Sequence, residues 1–147
     1  MKITTLEKSI SKCMSVNEWE NDFKVKHKMI LEDFPFSVIL EGSTDELGMA
    51  VDWCLDNLGE RNTSFIDDEN YNFRKLERNS PKGIWTELWY GKMDYDYGSS
   101  EFFFSVEGDL NNFKIKIPDF YSLGSDGNKW RTDGTDEQGK IKEYKME

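Results

Sequence analysis

Leu47, Ala50, Val51, Cys54, Leu55 and Leu58 recur with helical spacing. At about 100° per residue they fall within an arc of roughly 140°. Asp45, Asp52 and Asp56 lie within about 40° of one another on the opposite side, with Glu60 near their edge if the turn continues. The pattern predicts one amphipathic helix over residues 43–60 with an acidic outer face. Ser43 and Glu46 have capping-box spacing at its start, and Gly59 stands where a terminating residue is wanted. The helix holds no Lys or Arg. Asp56 opposes the helix dipole, and Asp52 and Asp56 repel each other at i, i+4 by a few tenths of a kcal/mol. This face is not arranged for helix stability. Trp53 projects about 80° from the centre of the acidic stripe, and Met49 points into it. Trp53 is either packed sideways under a neighbouring element or an anchor for a partner, since Trp combines large burial with a donor.

The rest of the chain alternates between helical and strand periods. Ile3, Leu6, Ile10 and Cys13 or Met14 are spaced like a helix face. Ser15 and Glu18 repeat the capping spacing, and Val16, Trp19, Phe23 and then His27 or Ile30 continue helically up to Pro35. Phe36–Glu41 reads as a strand leading into the acidic helix. Thr63–Ile66 reads as a short strand, followed by an acidic loop over Asp67–Asn70. Ile84–Tyr90 alternates as a strand. Residues 91–100 read as a Gly/Asp/Tyr/Ser connection, and Glu101–Val106, with its three phenylalanines, as a strand. Glu107–Asn112 reads as a turn or single helical turn, and Phe113–Ile117 as an alternating strand stopped by Pro118.

This order is that of a split βαβ, ferredoxin-like α+β sandwich with an antiparallel sheet and an added N-terminal helical element. The expected organisation is a single domain over 1–123, with a helical extension at 1–34 and a sheet-plus-helix core at 36–118. Residues 124–147 are expected as a hairpin around Asp126-Gly127, anchored by Trp130, or as a flexible tail.

Composition sharpens the picture. The 147 residues are 14% aromatic and 33% charged, enough to bury a core. The formal charge of −10 is unevenly spread, because residues 34–70 hold nine acidic side chains against Arg61 alone, a net −8. A field of that sign disfavours phosphate backbones and anionic lipid and steers basic partners. Direct nucleic-acid or membrane binding is therefore not expected, whereas a protein surface built to hold phosphates is a plausible target. Two cysteines, no apolar leader and no apolar run of about 18 residues point to a reducing cytoplasm.

The inventory for catalysis is thin. His27 is the only histidine, set among Lys24, Lys26 and Lys28, with no Ser or Cys signature beside it. Cys13, His27 and Cys54 are a poor zinc set. Asp67-Asp68-Glu69, Asp94-Tyr95-Asp96 and the Asp126 and Asp133 loops lack the ordered spacing of a calcium loop. Neither a Walker A loop nor a dinucleotide fingerprint is present. No catalytic residue, metal or cofactor is expected. The aromatic-acid run Trp89, Tyr90, Met93, Asp94, Tyr95, Asp96, Tyr97 is suited to gripping Lys or Arg. The expected partner-binding residues are Asp45, Asp52, Trp53, Asp56, Glu60, Tyr95 and Tyr97.

The strand Val38-Ile39-Leu40-Glu41-Gly42, the Trp53-Cys54 helix closed by Leu58-Gly59, the strand Phe102-Phe103-Phe104, Asp109-Leu110 and Phe113-Lys114-Ile115-Lys116-Ile117 together resemble small accessory proteins of tailed phages. The resemblance spans about residues 36–118 and rests on core positions. It implies a ferredoxin-like domain that binds a host or phage macromolecule, and it carries over no catalytic residue. The expected function is an acidic, non-enzymatic, phage or mobile-element protein that inhibits or modulates a basic host protein, such as a defence component or nucleic-acid enzyme. An immunity protein against a toxin nuclease, a small carboxylate- or metal-dependent hydrolase and a virion or scaffold subunit are the alternatives.

Overall fold

The computed structural model describes residues 1–63, 65–67, 73–75 and 83–146. The chain is mixed α+β with antiparallel sheets. The main sheet has the order β1-β2-β6-β5, from β1 (Lys2–Thr4), β2 (Phe36–Ser43), β5 (Trp85–Asp94) and β6 (Tyr97–Phe104). Residues directly opposite in the register share a face, so Val38, Leu40, Phe102 and Phe104 point one way while Glu41, Ser99, Glu101 and Phe103 point the other.

The first face is apolar. It packs α4 (Thr44–Leu58) through Leu47, Ala50 and Cys54, and α5 (Glu107–Lys116) through Leu110 and Phe113. Phe113 is the hub, with ring centroids 5.0 Å from Phe102, 5.2 Å from Phe104 and 5.9 Å from Phe120. The second face is polar. It meets α1 (Leu6–Cys13) and α3 (Lys24–Asp33), which are connected by the exposed α2 (Val16–Glu18) and the π-helical turn Trp19–Phe23. Ser9 Oγ lies 2.7 Å from Ser99 Oγ, Lys12 Nζ 3.2 Å from buried Glu41, and His27 Nε2 3.0 Å from buried Glu101. Apolar contacts join them where Ile30 and Phe34 meet Phe103 and where Phe23 packs on Tyr90, with ring centroids 5.8 Å apart. The short strands β3 (Phe65–Asp67) and β4 (Phe73–Lys75) pair with each other. A three-stranded sheet, β7 (Ser122–Leu123), β8 (Lys129–Thr135) and β9 (Ile141–Lys145), closes the chain and lies against β2 and β1.

The structure corrects four expectations. The start of the expected N-terminal helix is strand β1, because Thr5 caps α1, accepting the Lys8 amide at 3.3 Å. Residues 91–100 are mostly a hairpin turning at Tyr95-Asp96, with Gly91 at φ 129° beside a bulge. Glu107–Asn112 is continuous helix, and Phe113–Ile117 is the end of α5 and the start of a 3-10 turn over Ile117–Asp119. Leu110, Phe113 and Ile117, at i, i+3 and i+7, are all buried in the main core. The part of the expected acidic loop at 68–70 lies outside the described residues.

Candidate protein-docking surface

α4 begins as its sequence predicts. Ser43 Oγ accepts the Glu46 amide at 3.2 Å, and Glu46 Oε1 accepts the Ser43 amide at 2.9 Å. Gly59, at φ 91°, ends it by donating its amide to Leu55 at 3.2 Å. Leu47, Ala50 and Cys54 face the core, which turns Asp45, Asp52 and Asp56 outward, and all three are exposed. No salt bridge among the described residues involves any of them.

The acidic face borders a groove, with α4 as one wall and the stretch from Ile117 to Leu123 as the other. Tyr121 donates its amide to Met49 Sδ at 3.3 Å, which ties the second wall to the helix. The groove comprises three adjoining clefts. One of about 520 Å³ is lined by Asp45, Gly48, Met49, Asp52, Tyr121 and Leu123. The next, about 440 Å³, shares Met49 and Asp52 and adds Trp53, Asp56, Lys116 and Asp119. At the other end a cleft of about 420 Å³ shares Asp45 and Leu123 and adds Asp96, Asp126, Trp130 and Glu143. Along α4 the apolar lining comes from Met49, Trp53, Tyr121 and Leu123, and the carboxylates of Asp45, Asp52, Asp56 and Asp119 stand among them with Lys116.

Several rim acids have structural duties. Thr44 donates its hydroxyl to the Asp96 carboxylate and its amide to the Asp96 carbonyl, which docks the β5–β6 turn on the start of α4. Asp126 accepts the Asn128 side-chain amide at 2.6 Å and its backbone amide at 3.0 Å, and these bonds hold its carboxyl below the usual range. Asp45, Asp52 and Asp56 have no such duty.

The expected partner-binding residues fall into three groups. Asp45, Asp52 and Asp56 share the groove with Trp53, which is half-buried and packs edge-on against Phe113 at 5.7 Å. Trp53 thus seats one side on α5 and turns the other to the groove. Tyr95, 90% exposed at the hairpin tip, is brought by Asp96 to the Asp45 end of α4, while Glu60 is exposed beyond its far end. Tyr97 lines the cleft at the Asp45 end of α4 but is only 1% exposed, with its hydroxyl 3.4 Å from Glu41 Oε1, so it offers a partner little surface. Sequence reasoning missed Gly48, Tyr121 and Leu123. Gly48 alone left a trace, as a glycine inside a helix.

Among the described acids of residues 34–70, Glu41 and Glu46 are internal. Glu41 is fully buried between Lys2 and Lys12, each Nζ 3.2 Å away. Glu46 is fully buried and accepts the Met1 ammonium at 2.8 Å and the Thr132 amide at 3.1 Å. The outward field of this segment is therefore weaker than its formal charge.

The nucleophiles are muted. Burial pushes the Cys13 thiol up to about 11, helped by Glu41 and opposed by Lys12. Burial also raises Cys54. His27 is engaged with Glu101, whose carboxylate also accepts the Tyr90 hydroxyl at 2.5 Å. Glu87, raised by burial against opposing contributions from Ser100 and Arg61, lines none of the three clefts. No group of three or more His, Cys, Asp or Glu side chains among the described residues is disposed to hold a metal ion. Among those residues no helix is long and apolar enough to cross a membrane. No protein-family model, curated protein or solved structure matches the chain.

Proposed function

We propose that this chain is a non-enzymatic binding protein that lays the acidic face of α4 on a basic host protein, a nucleic-acid enzyme or defence component, and inhibits or modulates it. One observation carries the reading. Asp45, Asp52 and Asp56 stand exposed on one helix face, without ion pairs among the described residues, along a groove that Met49, Trp53, Tyr121 and Leu123 also line. Asp45, in the first turn, suits the helix dipole, but Asp52 and Asp56 do not serve the helix, since they repel each other and Asp56 opposes the dipole. The face does serve a cationic surface, which gains ion pairs at the rim and apolar burial at Trp53. Phage or mobile-element origin rests on the resemblance of the core motifs. We read the order β2, α4, β5, β6, α5 as the ferredoxin-like part of the fold, with β1 beside β2 in the place of a closing strand.

The test is an affinity capture from bacterial lysate, washed at low and high salt. A basic protein retained at low salt, released at high salt and lost with Asp52→Lys/Asp56→Lys is the expected result. Retention unchanged by both salt and charge reversal overturns the reading.

A further inference from the structure

We propose that the groove along α4 seats a single basic, amphipathic α-helix of the partner, packed across Gly48; this rests on the docking function above. The first observation is Gly48 itself. It lies in the second turn of α4 and lines the groove, and a Cβ built on it meets nothing within 4 Å. Its φ is not positive, so no backbone conformation requires glycine there. Glycine inside a helix is destabilising relative to alanine, and no described neighbour approaches closely enough to need its missing side chain. What Gly48 supplies is bare backbone on an open wall, which lets a second helix come close.

The second observation is the shape and chemistry around it. α4 has 15 residues, hence a length of roughly 22 Å, or about four turns. Met49 and Trp53, at i and i+4, line the groove; Leu123, 64% exposed, faces Met49, and Phe120 lies in the cleft with Trp53. An apolar stripe of a helix fits there. The acids follow the same axis at steps of seven and four residues, so a helix with Lys or Arg at matching steps faces all three. An extended segment is less suited. It gains affinity by pairing with a strand edge, and the walls are a helix and a 3-10 turn leading into the two-residue β7.

The experiment uses the full chain and a designed probe. A fluorescent peptide of about 18 residues, long enough for appreciable helicity, carries arginines at steps of four and seven beside a leucine stripe. An isomer of identical composition scatters them around the helix. Anisotropy titrations at about 150 mM salt compare both peptides on wild type, Gly48→Leu and Asp52→Lys/Asp56→Lys. The patterned peptide is expected to bind about tenfold or more tightly than its isomer. Gly48→Leu should remove that preference while its Tm stays at or above wild type. Equal binding of the two peptides, or an unchanged preference in Gly48→Leu, overturns the helix-in-groove inference. If charge reversal still abolishes binding in that case, the acidic docking face stands without it. If charge reversal also has no effect, both fall.

Discussion

Glu46 shows how much one carboxylate does in this molecule. The Ser43 to Glu46 spacing marks it as a capping partner, and the structure gives it that role. Nothing in the spacing marks the same group as the acceptor for Met1 and Thr132, 45 and 86 residues away. A buried ammonium left without its carboxylate is costly, and so are the Ser43 and Thr132 donors left without their acceptor. Glu46→Ala is therefore expected to destabilise the fold by about 3–5 kcal/mol, lowering Tm by roughly 10 °C or more; a circular-dichroism melt checks it, and a shift of a degree or two refutes it. Glu87 acts in the opposite sense. Burial raises its pKa, with Ser100 and Arg61 only partly compensating. Between the unfolded value and the raised folded one, the native state binds more protons than the unfolded chain. Stability therefore falls as pH rises through that window. Relative to Glu87→Gln, which carries no titrating group, wild type should gain unfolding free energy on acidification from neutral pH toward about 4.5. Urea titrations of both proteins across that range measure the difference, and a constant difference would sink the argument.

At the scale of elements, α4 carries two opposed demands. Gly48→Ala fills open space on a helical backbone and should stabilise the protein by about 0.5–1 kcal/mol. Asp56→Lys should add about 0.3–1 kcal/mol, by reversing an unfavourable dipole interaction and removing the repulsion from Asp52. Both gains are read from denaturation midpoints, and destabilisation by either change would mean that α4 is not free on this face. The helix was legible because caps, apolar arc and acidic stripe agree. The α5 segment was misread for a physical reason. Phe113-Lys114-Ile115-Lys116-Ile117 alternates like a strand, yet Phe113 and Ile117 also satisfy a helical period with Leu110. The sheet decides between them, since its apolar face needs a second helix beside α4. Ile115, which the strand reading places beside Phe113 and Ile117, is left 71% exposed. The groove was half legible. Its α4 wall follows from helical periodicity, whereas Tyr121 and Leu123 reach Met49 across about 70 residues of chain, which no local pattern encodes.

The whole molecule is a sheet between two unlike layers. Against α4 and α5 it buries Val38, Leu40, Phe102, Phe104 and Trp85 among aliphatic and aromatic partners. Against α1 and the helical stretch after it, the interface is richer in polar contacts, Ser9–Ser99, Lys12–Glu41 and His27–Glu101–Tyr90, with Phe23 on Tyr90 and His27 on Phe103 as ring contacts among them. Apolar burial is recovered only by refolding, but buried charges regain hydration when a layer lifts, so ion-paired interfaces resist opening less than apolar ones of equal area. Cooperative local opening should therefore begin on the polar side. Native-state hydrogen exchange by mass spectrometry is expected to show amides of α1 and of the Trp19–Phe23 turn exchanging at a lower opening free energy than those of β2, β6 and α4. The C-terminal half of α3, held by Ile30 and Phe34 on Phe103, should lie between. This order also matters for docking. If the groove layer is the more rigid one, α4 presents its carboxylates and its bare Gly48 backbone on a preformed surface, and binding loses little to ordering. Exchange that is slow and uniform across both layers would instead mean that the buried ion pairs lock the molecule as firmly as its phenylalanines do.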